Sequence, residues 1–154
     1  MHIIVATDGS RASLTGARQC KWIADSREIT DVTVVAVVSP YAAVPFANEL
    51  GPGGPTELTK LSFGEEARIA VDLVAAEFDG WGPKVHKQIR SGSPAQEIIR
   101  LAEDLDADLI SLASGSRGLS PTILLGSTAS RVQHSAPCAV LVCRPTRKSE
   151  RATG

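Results

Sequence analysis

Short apolar runs alternate along this chain with stretches in which apolar residues recur every three or four positions. Residues 2–7 (His-Ile-Ile-Val-Ala-Thr), 31–38 (Asp-Val-Thr-Val-Val-Ala-Val-Val), 109–113 (Leu-Ile-Ser-Leu-Ala) and 138–143 (Cys-Ala-Val-Leu-Val-Cys) are runs of the first kind. A strand apolar on both sides of its pleat is covered on both faces, as in a parallel sheet between helical layers. Residues 84–90 (Lys-Val-His-Lys-Gln-Ile-Arg) are more polar and suit a sheet edge. Helical spacing appears at Leu14, Ala17, Cys20, Ile23 and Ala24 within 11–25, and at Ala67, Ala70, Val71, Val74 and Phe78 within 56–79. It returns at Ile98, Leu101, Ala102 and Leu105, and at Ala129 and Val132 before Ser135.

Turn and cap residues separate these segments. Asp8-Gly9-Ser10 ends the first strand, and Asp8 or Ser10 can accept from the free N–H groups of the helix that follows. Ser93 and Gln96 form a capping-box pattern with Pro94 at the first helical position, and Ser127 can open the last helix. Residues 39–55 carry four prolines and three glycines, with the run Gly51-Pro-Gly-Gly-Pro55, and read as a long loop beside the pocket.

Strand and helix therefore alternate through five strands, which predicts one α/β domain with an open parallel sheet and helices on both faces. Right-handed crossovers and one change of winding direction predict the strand order 3-2-1-4-5. The first and fourth strands then flank the switch point, beyond whose carboxyl ends such sheets bind ligands. Asp8 and the residues 113–118 fall at those ends. The last strand, Ala139–Cys143, is an apolar edge without charge, and such an edge pairs readily with another chain, which predicts a homodimer through it, the alternative being that the tail after Arg144 covers it.

Composition narrows the function classes. The chain has 154 residues, 43% of them hydrophobic and 21% charged, with net charge −1 and a pI near 6.3. That balance argues against nucleic-acid binding by phosphate neutralisation. No apolar run reaches the ~18 residues of a membrane span, and the amino terminus has no secretory pattern, so a cytoplasmic protein is expected. Cys20, Cys138 and Cys143 are read as reduced, mostly buried thiols. With His2, His86 and His134 the only histidines, no metal site is expected.

The stretch 108–128 carries the strongest chemistry. After the strand come Ala113, Ser114, Gly115, Ser116, Arg117 and Gly118, and then Gly126-Ser127-Thr128 opens the next helix. A small-residue loop and a helix start present backbone N–H groups to an anion, phosphate above all. The Walker P-loop is absent, because Gly118 is followed by Leu119 and Gly126 by Ser127. The dinucleotide fingerprint also fails, since Pro121 blocks an immediate helix and no acidic ribose partner follows. No Gly-x-Ser-x-Gly elbow exists, and no catalytic residue is assigned. Asp8 has two readings, a cap alone or a cap that also meets ligand, and Arg117 faces either a phosphate or solvent.

Taken together, Ile3-Ile-Val-Ala-Thr-Asp8-Gly-Ser10, the Val34-to-Pro40 strand end, Gly92-Ser-Pro94, Ala107-Asp-Leu-Ile110, Leu125-Gly126-Ser127 and Ala136-Pro-Cys-Ala-Val-Leu-Val-Cys-Arg144 resemble the universal stress protein (UspA) superfamily. The resemblance runs from Ile3 to about Arg144. It implies a Rossmann-like fold of the adenine nucleotide alpha hydrolase type, a domain over 1–144 and a polar tail over 145–154. It implies ATP as ligand, with Mg²⁺ as a companion of its phosphates, in a stress-response sensor or switch with slow or no turnover. Ala6, Thr7 and Asp8 would meet adenine or ribose, and Val37 would lie near the base. Residues 113–118 with Gly126, Ser127 and Thr128 would hold phosphate.

The family's ATP-binding pattern, Gly-x2-Gly-x9-Gly-Ser/Thr, is altered here. In the gapless register its first two glycines fall on Ala113 and Ser116, while Gly126-Ser127 is kept. An alanine restricts backbone angles and the approach of a phosphate. A protein of the same fold that binds no nucleotide, acting through its dimer surface and the 39–55 loop, is the alternative. A third reading is an adenylate-forming or nucleotide-hydrolysing enzyme on the same sheet.

Overall fold

The computed structural model of the protein describes residues 1–39, 57–114 and 127–144. In chain order these form β1 (His2–Thr7), α1 (Arg11–Ile23), β2 (Asp31–Val38), α2 (Glu57–Ala76), β3 (Lys84–Ser91), α3 (Pro94–Asp104), β4 (Leu109–Ala113), α4 (Ser127–Ser135) and β5 (Ala139–Cys143). The strands make one parallel sheet in the order β3-β2-β1-β4-β5, as the alternation of segments predicts. The long loop expected over 39–55, the tail over 145–154, and the site candidates Gly115, Ser116, Arg117, Gly118 and Gly126 lie outside the described residues, apart from Ser39 at the loop's start.

Successive side chains of a strand point to opposite faces, so each central strand feeds two cores. On one face Ile3 and Val5 of β1, with Val32 and Val34 of β2, are buried under Ala17 and Cys20 of α1, Val71 and Val74 of α2, and Phe78 in the turn that follows α2. On the other, Ile4, Val35, Ile110 and Leu112 are buried under Ile98 and Leu101 of α3 and Ala129 and Val132 of α4. Burying each such side chain contributes about 1.5–3 kcal/mol, and this double cover makes the sheet the rigid part of the molecule.

Two local expectations need correction. The inner face of α1 is Ser13, Gly16, Ala17 and Cys20, with Leu14 only partly buried, whereas Ile23 is 67% exposed. The helix ends at Ile23 because Ala24 turns extended (φ −87°, ψ 140°), so its last turn projects beyond the packed stripe. Ser93 does occupy the N-cap position of α3, with Pro94 opening the helix, but its side chain makes no capping bond. Pro94 forces Ser93 into an extended conformation, and only its carbonyl joins the helix, accepting from Glu97 N at 3.0 Å. The capping box is not formed.

Candidate functional site

The parallel ladders define where a ligand could enter. β1 pairs with β2 as far as Thr7–Ala36, but its pairing with β4 stops at Val5–Ser111. Both strands run two residues further, to Thr7 and to Ala113. The sheet thus opens between β1 and β4 at the switch point, on the carboxyl side.

One lip of this opening is the turn after β1. Ser10 is the N-cap of α1, accepting from Ser13 N at 3.1 Å. Asp8 is not that cap; its Oδ1 accepts from Ser10 N at 2.9 Å, and the side chain stays exposed. Gly9 sits at φ +80°, a conformation that L side chains avoid, and an added Cβ would meet Ala70 of α2 at 3.4 Å. Thr7 and Ser13 are both buried and lie 2.8 Å apart, hydroxyl to hydroxyl. Ser13 has one hydroxyl proton, which goes to the Ser10 carbonyl at 2.8 Å. Thr7 therefore donates to Ser13 and accepts the Gly9 N–H at 3.1 Å. This chain of bonds fixes the turn to the first turn of the helix.

The other lip is the end of β4. Ser114 N donates to the carbonyl of Cys143 at 2.8 Å, which ties the start of the loop to the end of β5. Ala113 adopts ordinary backbone angles, for Asp106 (φ 49°) is the one non-glycine residue with positive φ among the described residues. A Cβ built on Gly16 of α1 would lie 3.4 Å from the Ala113 methyl, so that methyl faces α1. The alanine in place of a family glycine is accommodated by a glycine on the helix above it.

The β2–β3 side of the carboxyl edge carries a cluster that the sequence reading did not single out. Glu97 is the one buried carboxylate among the described residues, and it accepts from Arg90 Nε at 3.0 Å and Arg100 Nη1 at 3.1 Å. Arg90 also reaches Asp104 at 3.5 Å. Gly92, at φ +144°, lies so close over Glu97 that a Cβ would stand 3.1 Å from its carboxylate, and Gly92 N bonds Val38 O at 3.0 Å. Val37 is partly buried one residue before that bond, in register with Arg90. The pair Glu97–Arg100, three residues apart in a helix that follows Gly-Ser-Pro, was the available sequence signal.

The sheet thus brings Ala6, Thr7, Asp8, Val37, Ala113 and Ser114 to its carboxyl edge, and α4 begins at Ser127 and Thr128. Cys20 and Cys143 are buried and their thiols are pushed up by that burial, with a hydrogen bond to Ser111 opposing it. They are poor nucleophiles in this state. His86 is exposed on the edge strand and pairs with Asp31, and His134 is exposed in the last turn of α4. Among the described residues no group of three His, Cys, Asp or Glu could hold a metal ion. No helix among them is long and apolar enough to cross a membrane.

An open parallel sheet wound in both directions from a divided switch point defines the class of doubly wound α/β folds. The model of the universal stress protein family matches residues 1–144, and the chain belongs to that family. It is 36% identical over 148 residues to universal stress protein MJ0531 of Methanocaldococcus jannaschii, spanning 95% of this chain and 83% of the relative. The solved structure of MJ0577 from the same organism superposes with a TM-score of 0.74 at 26% identity, covering 95% of this chain and 96% of that one. Two family structures hold adenine nucleotides. One is a universal stress protein in complex with cAMP (TM-score 0.67, 18% identity, 95% and 98% covered). The other is an Arabidopsis thaliana family protein with AMP bound (TM-score 0.67, 14% identity, 96% and 94% covered).

Proposed function

We propose that this universal stress protein binds an adenine nucleotide, ATP by preference, in the opening between β1 and β4, and works as a stress-response sensor or switch in the cytoplasm. The observation that carries the reading is the early end of the β1–β4 ladder beside the fixed Asp8 turn. In this reading Ala6, Thr7 and Asp8 meet the ribose and base, and Val37 forms the apolar wall near the base. Ala113, Ser114, Gly115, Ser116, Arg117 and Gly118, with Gly126, Ser127 and Thr128, surround the phosphates. Their contribution is backbone N–H groups and hydroxyls, which suit phosphate without a lysine. The Ala113 methyl, turned onto Gly16, is no obstacle to a phosphate.

Asp8 is the carboxylate at this lip, and its Oδ1, engaged by Ser10 N, orients the turn. Mg²⁺ would arrive with the phosphates it bridges. Residues 113–118 and 126–128 carry no Asp, Glu or His that could act as a base at the phosphates, and in this reading turnover is slow or absent. The molecule is a dimer through β5, whose apolar residues Ala139–Cys143 form an open edge of the sheet.

Native mass spectrometry of the purified protein should find bound adenine nucleotide, and millimolar ATP with Mg²⁺ should give heat in calorimetry and raise the melting temperature. Absence of all three signals would overturn the reading in favour of an interaction protein that binds no nucleotide. Gly126→Val, which puts a branched side chain at the start of α4, should abolish binding, whereas Ser116→Ala should not. Release of ADP, AMP or pyrophosphate at a steady rate would instead make the protein an enzyme.

A further inference from the structure

The two lips of the opening belong to different strands, yet one helix touches both. α1 grows out of the Asp8 lip, to which its first turn is fixed through Thr7, Ser13 and Ser10. One turn further, Gly16 lies against the other lip. A Cβ there would stand 3.4 Å from Cβ of Ala113 and 3.4 Å from Cβ of Cys143, with the Ala113 Cα at 3.7 Å. Gln19, in the next turn, donates to the carbonyl of Arg144 at 2.6 Å. The Cys143 carbonyl in turn holds Ser114 N, the last described residue before the loop. Three successive turns of α1 thus hold the Asp8 turn, the end of β4 and the end of β5.

We propose that Gly16 is a positioning residue for the nucleotide site: its missing side chain lets α1 rest on Ala113 and Cys143, and this contact sets the distance between the two lips. The proposal rests on the nucleotide reading above for its functional consequence, while its geometric content stands apart from it. Methyl groups reach their optimum near 3.5–4.0 Å, so an alanine at position 16 would stand at the near edge of ordinary contact with two neighbours, while a valine, two methyls larger, must lift the helix. Lifting α1 carries Ser10 and Ser13 with it and moves the Asp8 turn away from β4. Glycine inside a helix otherwise costs stability relative to alanine, so its presence at this contact opposes local preference. The alanine at 113 and the glycine at 16 form one complementary pair, in which the volume added on the strand is removed from the helix.

The test compares Gly16→Ala, Gly16→Val and each combined with Ala113→Gly, reading AMP and ATP affinity by calorimetry and the backbone amide resonances of Ser10 and Ser114 by NMR without nucleotide. Gly16→Val should weaken nucleotide binding by about tenfold or more, in line with the cost of displacing a site by about 1 Å. It should shift the Ser10 amide, which lies on the far lip, as well as Ser114. Gly16→Ala should shift both amides in the same sense by less, weaken binding by less than the valine does and raise the melting temperature, so that binding and stability change in opposite directions. Ala113→Gly should restore much of the affinity and return the Ser10 amide toward its original position. A Ser10 amide unmoved by either substitution, or a loss of affinity that Ala113→Gly does not relieve, would overturn the proposal. Should Gly16→Val not fold, the alanine variant carries the same comparison. If the unaltered protein binds no adenine nucleotide, the functional reading fails and the Ser10 and Ser114 amides alone decide whether Gly16 is the spacer.

Discussion

β1 is fastened to β4 at its amino end and parted from it at its carboxyl end, where only its pairing with β2 continues. At its amino end, His2 N donates to Asp108 Oδ2 at 2.7 Å while Asp108 N returns to His2 O at 2.9 Å, closing a reciprocal pair with the start of β4. Met1 binds Glu28 O through its amino group, and its carbonyl accepts from Thr30 N at 2.9 Å. Thr30 O in turn takes Lys84 N at 3.0 Å, and His2 Nε2 meets Thr33 Oγ1 at 2.7 Å. At the carboxyl end, the hydrogen bonds of Thr7 and Asp8 side chains close on residues 9, 10 and 13, within their own turn. The first end joins four segments that are distant in sequence; the second satisfies its polar atoms locally and leaves the gap to β4 unbridged. A sheet stitched at one edge can hold its opposite edge open without losing cohesion.

The largest way to disturb this contrast lies at the carboxyl edge. Gly92→Ala places a Cβ 3.1 Å from the Glu97 carboxylate at φ +144°. A side chain forced into such a conformation costs up to about 3 kcal/mol, roughly 2–4 °C of melting temperature per kcal/mol for a chain this long. Thermal unfolding should register that loss, and a change under 1 °C would show that the Gly92 turn relaxes freely.

A reciprocal pair of substitutions then separates the two ends. Asp108→Ala removes the acceptor of His2 N–H, so it should lower stability by about 1 kcal/mol and leave AMP and ATP affinity unchanged. Asp8→Ala removes the acceptor of Ser10 N–H and the proposed ribose contact, so it should lower affinity by about tenfold with a smaller effect on unfolding. Urea titration and calorimetry on the same samples check both. If Asp108→Ala weakened nucleotide binding as much as Asp8→Ala, the two ends would not be independent.

Much of this contrast could be read from the chain, because it follows from periodicity. Val32 to Val37 reads as a strand covered on both sides, and three further apolar segments with one polar segment suited to an edge predict the sheet order and hence the switch point. Asp8 at the end of the first strand was legible for the same reason. What sequence could not supply is which side of the pleat a residue takes when its neighbours are all small. Ala113 reads as a substitute for a phosphate-loop glycine until its methyl is seen against Gly16. Ile23 matches the helical stripe by spacing, but the helix ends there and the side chain projects outward. Glu97 looks like an ordinary first-turn acid, and its burial depends on Arg90 arriving from another element.

The smallest effect belongs to the fastened end and appears as a pH dependence. His2 is held below its usual value of 6.5, chiefly because burial disfavours the charged imidazole. Asp31 opposes this, His86 adds to it, Asp108 opposes it and the amino terminus adds again. Since the folded chain takes up this proton less readily than the unfolded chain, the contribution of His2 is complete above 6.5 and declines as pH falls below it. The decline ends once the folded imidazole is also protonated. Melting temperatures at about pH 7.5 and about pH 5.5, which bracket the ordinary histidine range, should differ more for the unaltered protein than for His2→Gln. That variant keeps an amide able to meet Thr33 and has no proton to gain. Equal pH responses in the two proteins would remove His2 from the groups that set the dependence.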